Sequence, residues 1–251
     1  LFVANENTPN ENFYNNNGDE TFTSLQIPNL LTSNGNSTSS SWEDIDNDGD
    51  FDVFVANWGS QKNFLFINNG DGTFTKIISD PVSIDIGNSF GSAFGDVDND
   101  GDLDLFIGGH VVPGKFPKPD RSMLLQNNKG IFTDVTNQYA SALLNPGIVN
   151  QAVWADVDGD GKSELTIAGE WMPVEIFSFQ NGQFNKKQNS VRIILPSKKD
   201  TVINMDAFTG WWYNMKAEDI DNDGRMDLVL GNRGLNSSIK GNINEPCTIY
   251  A

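Results

Sequence analysis

Residues 44–52 read DIDNDGDFD, with aspartate at five of nine positions. Neighbouring carboxylates repel, so a segment this acidic holds together only if each charge stays hydrated or is matched by a cation. Oxygen donors at positions 1, 3 and 5, with glycine at the sixth position where the chain must reverse, suit a hard divalent ion. Ca2+ accepts six to eight oxygens at ~2.3–2.6 Å. Here Asp44, Asp46 and Asp48 supply side-chain oxygens, Asp50 its backbone carbonyl, and Asp52 closes the site with both carboxylate oxygens, while Gly49 permits the turn.

Outward from this stretch, the pattern recurs as DVDNDGDLD at 96–104, DVDGDGKSE at 156–164 and DIDNDGRMD at 219–227, with starts 52, 60 and 63 residues apart. The matching sets are Asp96, Asp98, Asp100, Asp102 and Asp104; Asp156, Asp158, Asp160, Lys162 and Glu164; and Asp219, Asp221, Asp223, Arg225 and Asp227. Position 7 is Asp50, Asp102, Lys162 or Arg225, so only its backbone carbonyl can serve all four loops. Ser163 and Glu164 make the third loop the most divergent. Positions 2 and 8 are mostly apolar (Ile45, Val97, Val157, Ile220; Phe51, Leu103, Met226), which suits packing beneath the loop. Four recurrences of one donor spacing exceed what Asp and Gly turn preferences produce. An EF-hand fails because its twelfth position needs a bidentate Glu and holds Val55, Ile107, Ile167 and Leu230 here. The expectation is a structural Ca2+ in each loop, about four in all.

Each acidic loop is followed by a short apolar run: VFVAN at 53–57, LFIGG at 105–109, LTIAG at 165–169 and LVLGN at 228–232. Such runs, rich in Val, Ile, Leu and Phe and closed by Gly or Asn, read as buried strands. An aromatic stands two residues before the first Asp in three repeats (Trp42, Phe94, Trp154), with Ala217 in the fourth. Downstream, FLFINNGDGTFTKI at 64–77, MLLQNNKGIFTDV at 123–135 and VEIFSFQNGQFNKK at 174–187 each place two strand-like runs around a Gly-containing turn. Every repeat therefore carries four antiparallel strands, the pattern of a β-propeller blade, which cannot bury its faces alone.

The chain reads as one all-β propeller segment, with approximate blades at 1–37 (partial), 38–87, 88–147, 148–204 and 205–251 (partial). LFVAN at 1–5 matches VFVAN after the first acidic loop, so the chain starts inside a blade, and CTIYA at 247–251 reads as the opening strand of another.

Lys and Arg number 16 against 34 Asp and Glu, a net charge of −18, which excludes nucleic-acid and anionic-membrane partners because both need basic surface. Cys247 is the single cysteine, so neither an internal disulfide nor a cysteine-based zinc site can form. No run approaches the ~18 apolar residues that cross a bilayer.

FGSAFGDVDNDGDLDLFIGG at 90–109 resembles the FG-GAP or VCBS repeats of integrin alpha-subunit propellers and of many secreted bacterial proteins. TGWWYNMKAEDIDNDGRMDLVLGNRGLNS at 209–237 is similar to bacterial VCBS members, including those with an ASPIC/UnbV-type tail. The resemblance implies a calcium-binding propeller, usually of seven blades, of which this chain holds about four to five. It also implies an extracellular or cell-surface setting, bacterial and including the periplasm, without implying one activity.

If the acidic loop joins strands one and two, the hairpin turn between strands three and four lies on the same face, and the remaining connections share the opposite one. Those connections are longer and more varied, as recognition loops on rigid scaffolds are. Trp58, His110, Trp171 and Arg233, with the loop GHVVPGKFPKPDR at 109–121, are the candidate contacts for a protein or glycan partner. The alternative is a carbohydrate-active enzyme such as a polysaccharide lyase, in which His110 converges with Tyr139 or Lys115 and an arginine.

Overall fold

The structure, a computed structural model, describes residues 1–5, 12–27, 30, 35–78, 81–84, 87–188, 190–193 and 201–233. The CTIYA segment and Cys247 lie outside the described residues. The chain is all-β. A three-stranded sheet comes first, β1 (Phe2–Val3), β2 (Asn12–Asn16) and β3 (Phe22–Leu25), in the order β1-β2-β3. Next is β4 (Ser37–Glu43), β5 (Asp52–Asn57), β6 (Phe64–Asn68) and β7 (Phe74–Ile77). The third sheet is β8 (Ser89–Gly95), β9 (Asp104–Gly109), β10 (Met123–Asn128) and β11 (Ile131–Asp134). The fourth holds β12 (Ile148–Ala155), β13 (Glu164–Met172), β14 (Glu175–Gln180) and β15 (Gln183–Lys186). All neighbours pair antiparallel in chain order, which makes each sheet a propeller blade.

Strand β18 (Gly210–Glu218) pairs with β19 (Asp227–Asn232) around the fourth acidic loop. It also pairs with the end of β13, at Glu170↔Trp211 and Met172↔Gly210, so the last two blades share hydrogen bonds. A further hairpin, β16 (Ser190–Ile193) with β17 (Thr201–Asn204), lies between β15 and β18, outside the four-strand pattern of the repeats. Its strands lack the Gly-containing turn that marked the other hairpins, so periodicity gave no signal there.

β5 and β9 are buried at every position, because each middle strand has a blade packed on both faces. Alternation then sorts side chains between two cores. Val53 and Val55 face Phe2, Phe13 and Trp42 of the preceding side, while Phe54 and Ala56 face Phe94, Leu105 and Ile107 of the next blade. Phe106 joins Leu165, Ile167 and Phe177 in the following layer.

The first strands β4, β8, β12 and β18 lie side by side, each against the next. Their crowding explains the small and polar sequence STSSSWE of β4. The hydroxyls of Thr38, Ser39 and Ser41 donate to the carbonyls of Ser89, Phe90 and Ser92 on β8, so these partly buried groups are satisfied across the joint. At Gly91 any Cβ would come within 2.7 Å of the Gln151 backbone, so closeness between β8 and β12 requires glycine.

The tryptophans before the first and third loops close blade joints. Trp154 donates Nε1–H to the Ala93 carbonyl at 3.2 Å and lies where a Cβ on Gly95 would meet its indole at 2.4 Å. Trp42 meets Phe2 edge-on at 5.5 Å and Phe74 at 6.3 Å.

Candidate functional site

Position 1 of every acidic loop is fixed by the loop's own backbone. Asp44 Oδ1 accepts from Asp48 N and Oδ2 from Gly49 N, both at 3.0 Å. Asp96, Asp156 and Asp219 accept the same two bonds from Asp100 and Gly101, Asp160 and Gly161, and Asp223 and Gly224. The glycine at position 6 has φ of 96°, 92°, 86° and 84° in the four loops, the left-handed region that glycine enters at no steric cost. Position 4 needs the same region and is Asn47, Asn99, Gly159 or Asn222. Asparagine tolerates that conformation, a requirement the donor spacing alone did not disclose.

Position 9 is buried in the first three loops, as Asp52, Asp104 and Glu164, whereas Asp227 in the fourth is exposed. Asp52 is fully buried, with Oδ2 accepting from Ile45 N at 2.9 Å and Oδ1 from Asn68 N at 2.7 Å. Asp104 repeats this with Val97 N and Asn127 N. Because Asn68 and Asn127 open the hairpin turns, those turns lie on the same face as the acidic loops. Asp102 extends the tie, accepting from Lys129 N at 2.9 Å and from Asn47 Nδ2 of the preceding loop at 3.2 Å.

Carboxylate oxygens converge within 4.8 Å in each loop: Asp44, Asp46 and Asp48; Asp96, Asp98 and Asp104; Asp156, Asp158 and Glu164; Asp219, Asp221 and Asp227. The side chains at position 7 are in none of these sets. Arg225 instead pairs with Asp223. Position 2 packs as expected in the first loop, where Ile45 is fully buried, but Ile220 is 59% exposed. Position 8 does not pack beneath the loop: Phe51 is 63% and Met226 46% exposed. In the first loop it immediately precedes the buried Asp52, and strand alternation turns Phe51 outward. Leu103 is partly buried against the core of its blade.

Burial pushes Asp52 up to about 6 and Asp104 up to about 7, against an ordinary value of 3.8, with the backbone N–H bonds offsetting part of the rise. Asp46 is raised by burial and by repulsion from Asp48. An oxygen-only donor set that is costly to ionise fits Ca2+, which removes that cost. Without the ion, a raised carboxyl retains its proton longer in the folded than in the unfolded state. That contribution is complete below about pH 4 and is lost as pH rises through the folded values near 6 and 7. The melting temperature in chelator is therefore expected to fall between about pH 5 and pH 7.5. A melting temperature that climbs over this interval would contradict the assignment.

On the opposite face, the residues that leave the second strands meet. Trp58, His110 and Arg233 hold equivalent places, their N–H groups donating to the carbonyls of Asn36, Asn88 and Trp211. The equivalent residue in the fourth sheet is Glu170, paired with Ile148, and not Trp171. The register was present in the sequence, since Glu170 follows LTIAG as His110 follows LFIGG.

His110 stacks on Phe90 at 4.7 Å and meets Trp58 edge-on at 5.6 Å, with Nε2 4.0 Å from Glu170 Oε1. Burial holds His110 below its ordinary pKa of 6.5, so it is neutral at pH 7. Tyr213 donates to Glu170 Oε1 at 3.2 Å, and Arg233 reaches Tyr213 at 3.5 Å while lying over the Trp211 ring at 5.1 Å. Trp171, at φ 59°, packs edge-on against Trp211 at 4.9 Å. All four residues expected on this face thus lie along one strip, joined by Glu170 and Tyr213. Tyr139 does not reach it and packs on Phe179 at 6.4 Å.

Repeated four-stranded blades with an acidic turn between the first two strands define a propeller of the FG-GAP type. Residues 1–55, 44–107 and 156–230 match the FG-GAP-like repeat model, and the chain belongs to that family. A stretch of 117 residues is 33% identical to Cartilage acidic protein 1 of Xenopus tropicalis, covering 45% of this chain and 16% of that protein. Among solved structures, a lectin of Agrocybe aegerita that specifically recognises non-reducing terminal N-acetylglucosamine has the same fold, with a TM-score of 0.52 at 18% identity. The match covers 92% of this chain and 60% of the lectin, so the chain spans only part of either relative. Among the described residues, no helix is long and apolar enough to cross a membrane.

Proposed function

We propose that this chain is part of a secreted or cell-surface propeller that binds a protein or glycan partner. In this reading calcium holds the blades, and the partner docks on the face opposite the acidic loops. The observation that carries the reading is the strip from Trp58 through His110, Glu170, Tyr213 and Arg233 to Trp211 and Trp171, which combines aromatic faces with hydrogen-bonding groups of both kinds. Aromatic residues and arginine dominate the energetics of recognition surfaces. The acidic loops do not compete for this role, because their carboxylates are taken up by backbone N–H groups and by the ion.

Likeness to a lectin supports glycan as one partner class, and the repeats of the family support adhesion generally. Extracellular calcium modules are tuned to ~10⁻⁴–10⁻³ M, concentrations found outside the cytosol, which supports a secreted setting. A lyase reading needs an accessible base, whereas the His110 side chain is 13% exposed with Phe90 stacked on one face.

A glycan and protein array tests the proposal. Arg233→Ala and Glu170→Gln are each expected to weaken binding ~10-fold or more while leaving the melting temperature unchanged. Full binding by both variants would remove this face from consideration.

A further inference from the structure

The third acidic loop differs from the others in what faces its donors. The Lys187 ammonium contacts Asp158 and lies 3.0 Å from Glu164 Oε1, so it bridges two of the three carboxylates that converge in this loop. The third, Asp156, is held by the N–H groups of Gly159, Asp160 and Gly161. Glu164 is buried, its side chain 2% exposed, and its other oxygen accepts from Val157 N at 3.2 Å.

The register shows that this lysine is peculiar to one blade. Lys187 N donates to the Ile176 carbonyl as Val135 N donates to that of Leu124, and Ile77 pairs with Leu65 at the same place in the second sheet. Two blades therefore put an apolar side chain, Ile77 or Val135, where the fourth sheet puts a lysine. The long stem of lysine can follow that apolar path and carry its charge to the loop beyond.

Three departures from the common pattern fall in this single loop: Lys162 at position 7, Glu164 at position 9, and Lys187 from the hairpin. Each of the first two loops has five aspartates and no basic side chain among its positions. The third has four carboxylates, Asp156, Asp158, Asp160 and Glu164, with Lys162 inside it and Lys187 against it. The fourth loop also holds a cation, but Arg225 pairs with Asp223, which lies outside the converging set of Asp219, Asp221 and Asp227. Among the described residues, Lys187 is the one cation that bridges two carboxylates of a converging set.

We propose that the third loop is closed by the Lys187 ammonium in place of calcium, so that the chain binds ions in three of its four acidic loops. An ammonium offsets one of the two carboxylate charges and can donate hydrogen bonds to both, and a divalent cation in the same cradle would be repelled by it. The ammonium bridges Asp158 and Glu164 whether or not calcium is present, so this blade corner stays formed at calcium concentrations that empty the others. The inference rests on the calcium reading of the remaining loops, and an ion count separates the two.

Calorimetric titration of the full chain with Ca2+ after chelator removal provides that count. Three ions are expected for the unaltered protein, and four for Lys187→Gln or for Lys187→Ile, which restores the residue type of Ile77. Asp158→Asn is expected to leave three ions, whereas Asp98→Asn in the second loop leaves two. Four ions in the unaltered protein, or a fall to two on Asp158→Asn, would overturn the proposal while leaving the calcium reading intact. No ion in any protein would overturn both.

Discussion

Chelation with EDTA is expected to lower the melting temperature by roughly 15–30 °C at neutral pH. An ion that binds only the folded state adds RT ln(1 + [L]/Kd), about 2.7 kcal/mol at a concentration one hundred times Kd. Three such sites contribute about 8 kcal/mol, and each kcal/mol moves the midpoint of a domain this size by ~2–4 °C. The geometry supports a large value because the position 1 carboxylates are already oriented by two backbone N–H groups each, so little ordering remains when the ion arrives. Differential scanning calorimetry with and without chelator reads the shift directly. An unchanged midpoint in EDTA would remove calcium from the account of this fold.

The second large effect is expected from Asp104→Ala. Asp104 is 2% exposed and accepts from Val97 N at 3.0 Å and from Asn127 N at 2.8 Å. Truncation leaves the buried Asn127 N–H and the partly buried Val97 N–H unpaired, at about 1–3 kcal/mol each, and removes one of the converging donors from the second loop. A loss of roughly 3–6 kcal/mol follows in calcium, large against the ~5–15 kcal/mol that holds a domain together. Asp102→Asn, two residues earlier, keeps an acceptor for Lys129 N and lies outside the converging set, so it is expected to cost about 1 kcal/mol or less. Chemical denaturation of both variants checks the contrast, and equal losses would show that position 9 has no special role.

The acidic loops and the strands around them were legible because two strong periodicities coincide. Oxygen donors at every second residue mark the loops, and apolar runs closed by Gly or Asn mark strands covered on both faces. VFVAN and LFIGG name their own strands for that reason. The hairpin β16–β17 left no such mark, since its residues carry neither a Gly turn nor a clear alternation. The outward aim of Phe51 followed from its place next to a buried carboxylate, but its apolar character pointed the other way. On the opposite face, Trp58, His110 and Arg233 stand in register as conspicuous side chains, whereas Glu170 shares that register beside the more conspicuous Trp171. Tyr213 comes from β18, and its approach to Glu170 depends on the pairing between β13 and β18, which local sequence does not encode.

That same pairing has a mechanical meaning. Elsewhere, neighbouring blades are held by side chains: serine hydroxyls on carbonyls between β4 and β8, and Trp154 against Gly95 between β12 and β8. Where Glu170 pairs with Trp211 and Met172 with Gly210, the sheet itself runs across the seam through strand pairing. The fourth and fifth blades therefore form a single creased plate. Glu170, Trp171, Trp211, Tyr213 and Arg233 all lie on or directly beside the strands that this seam joins.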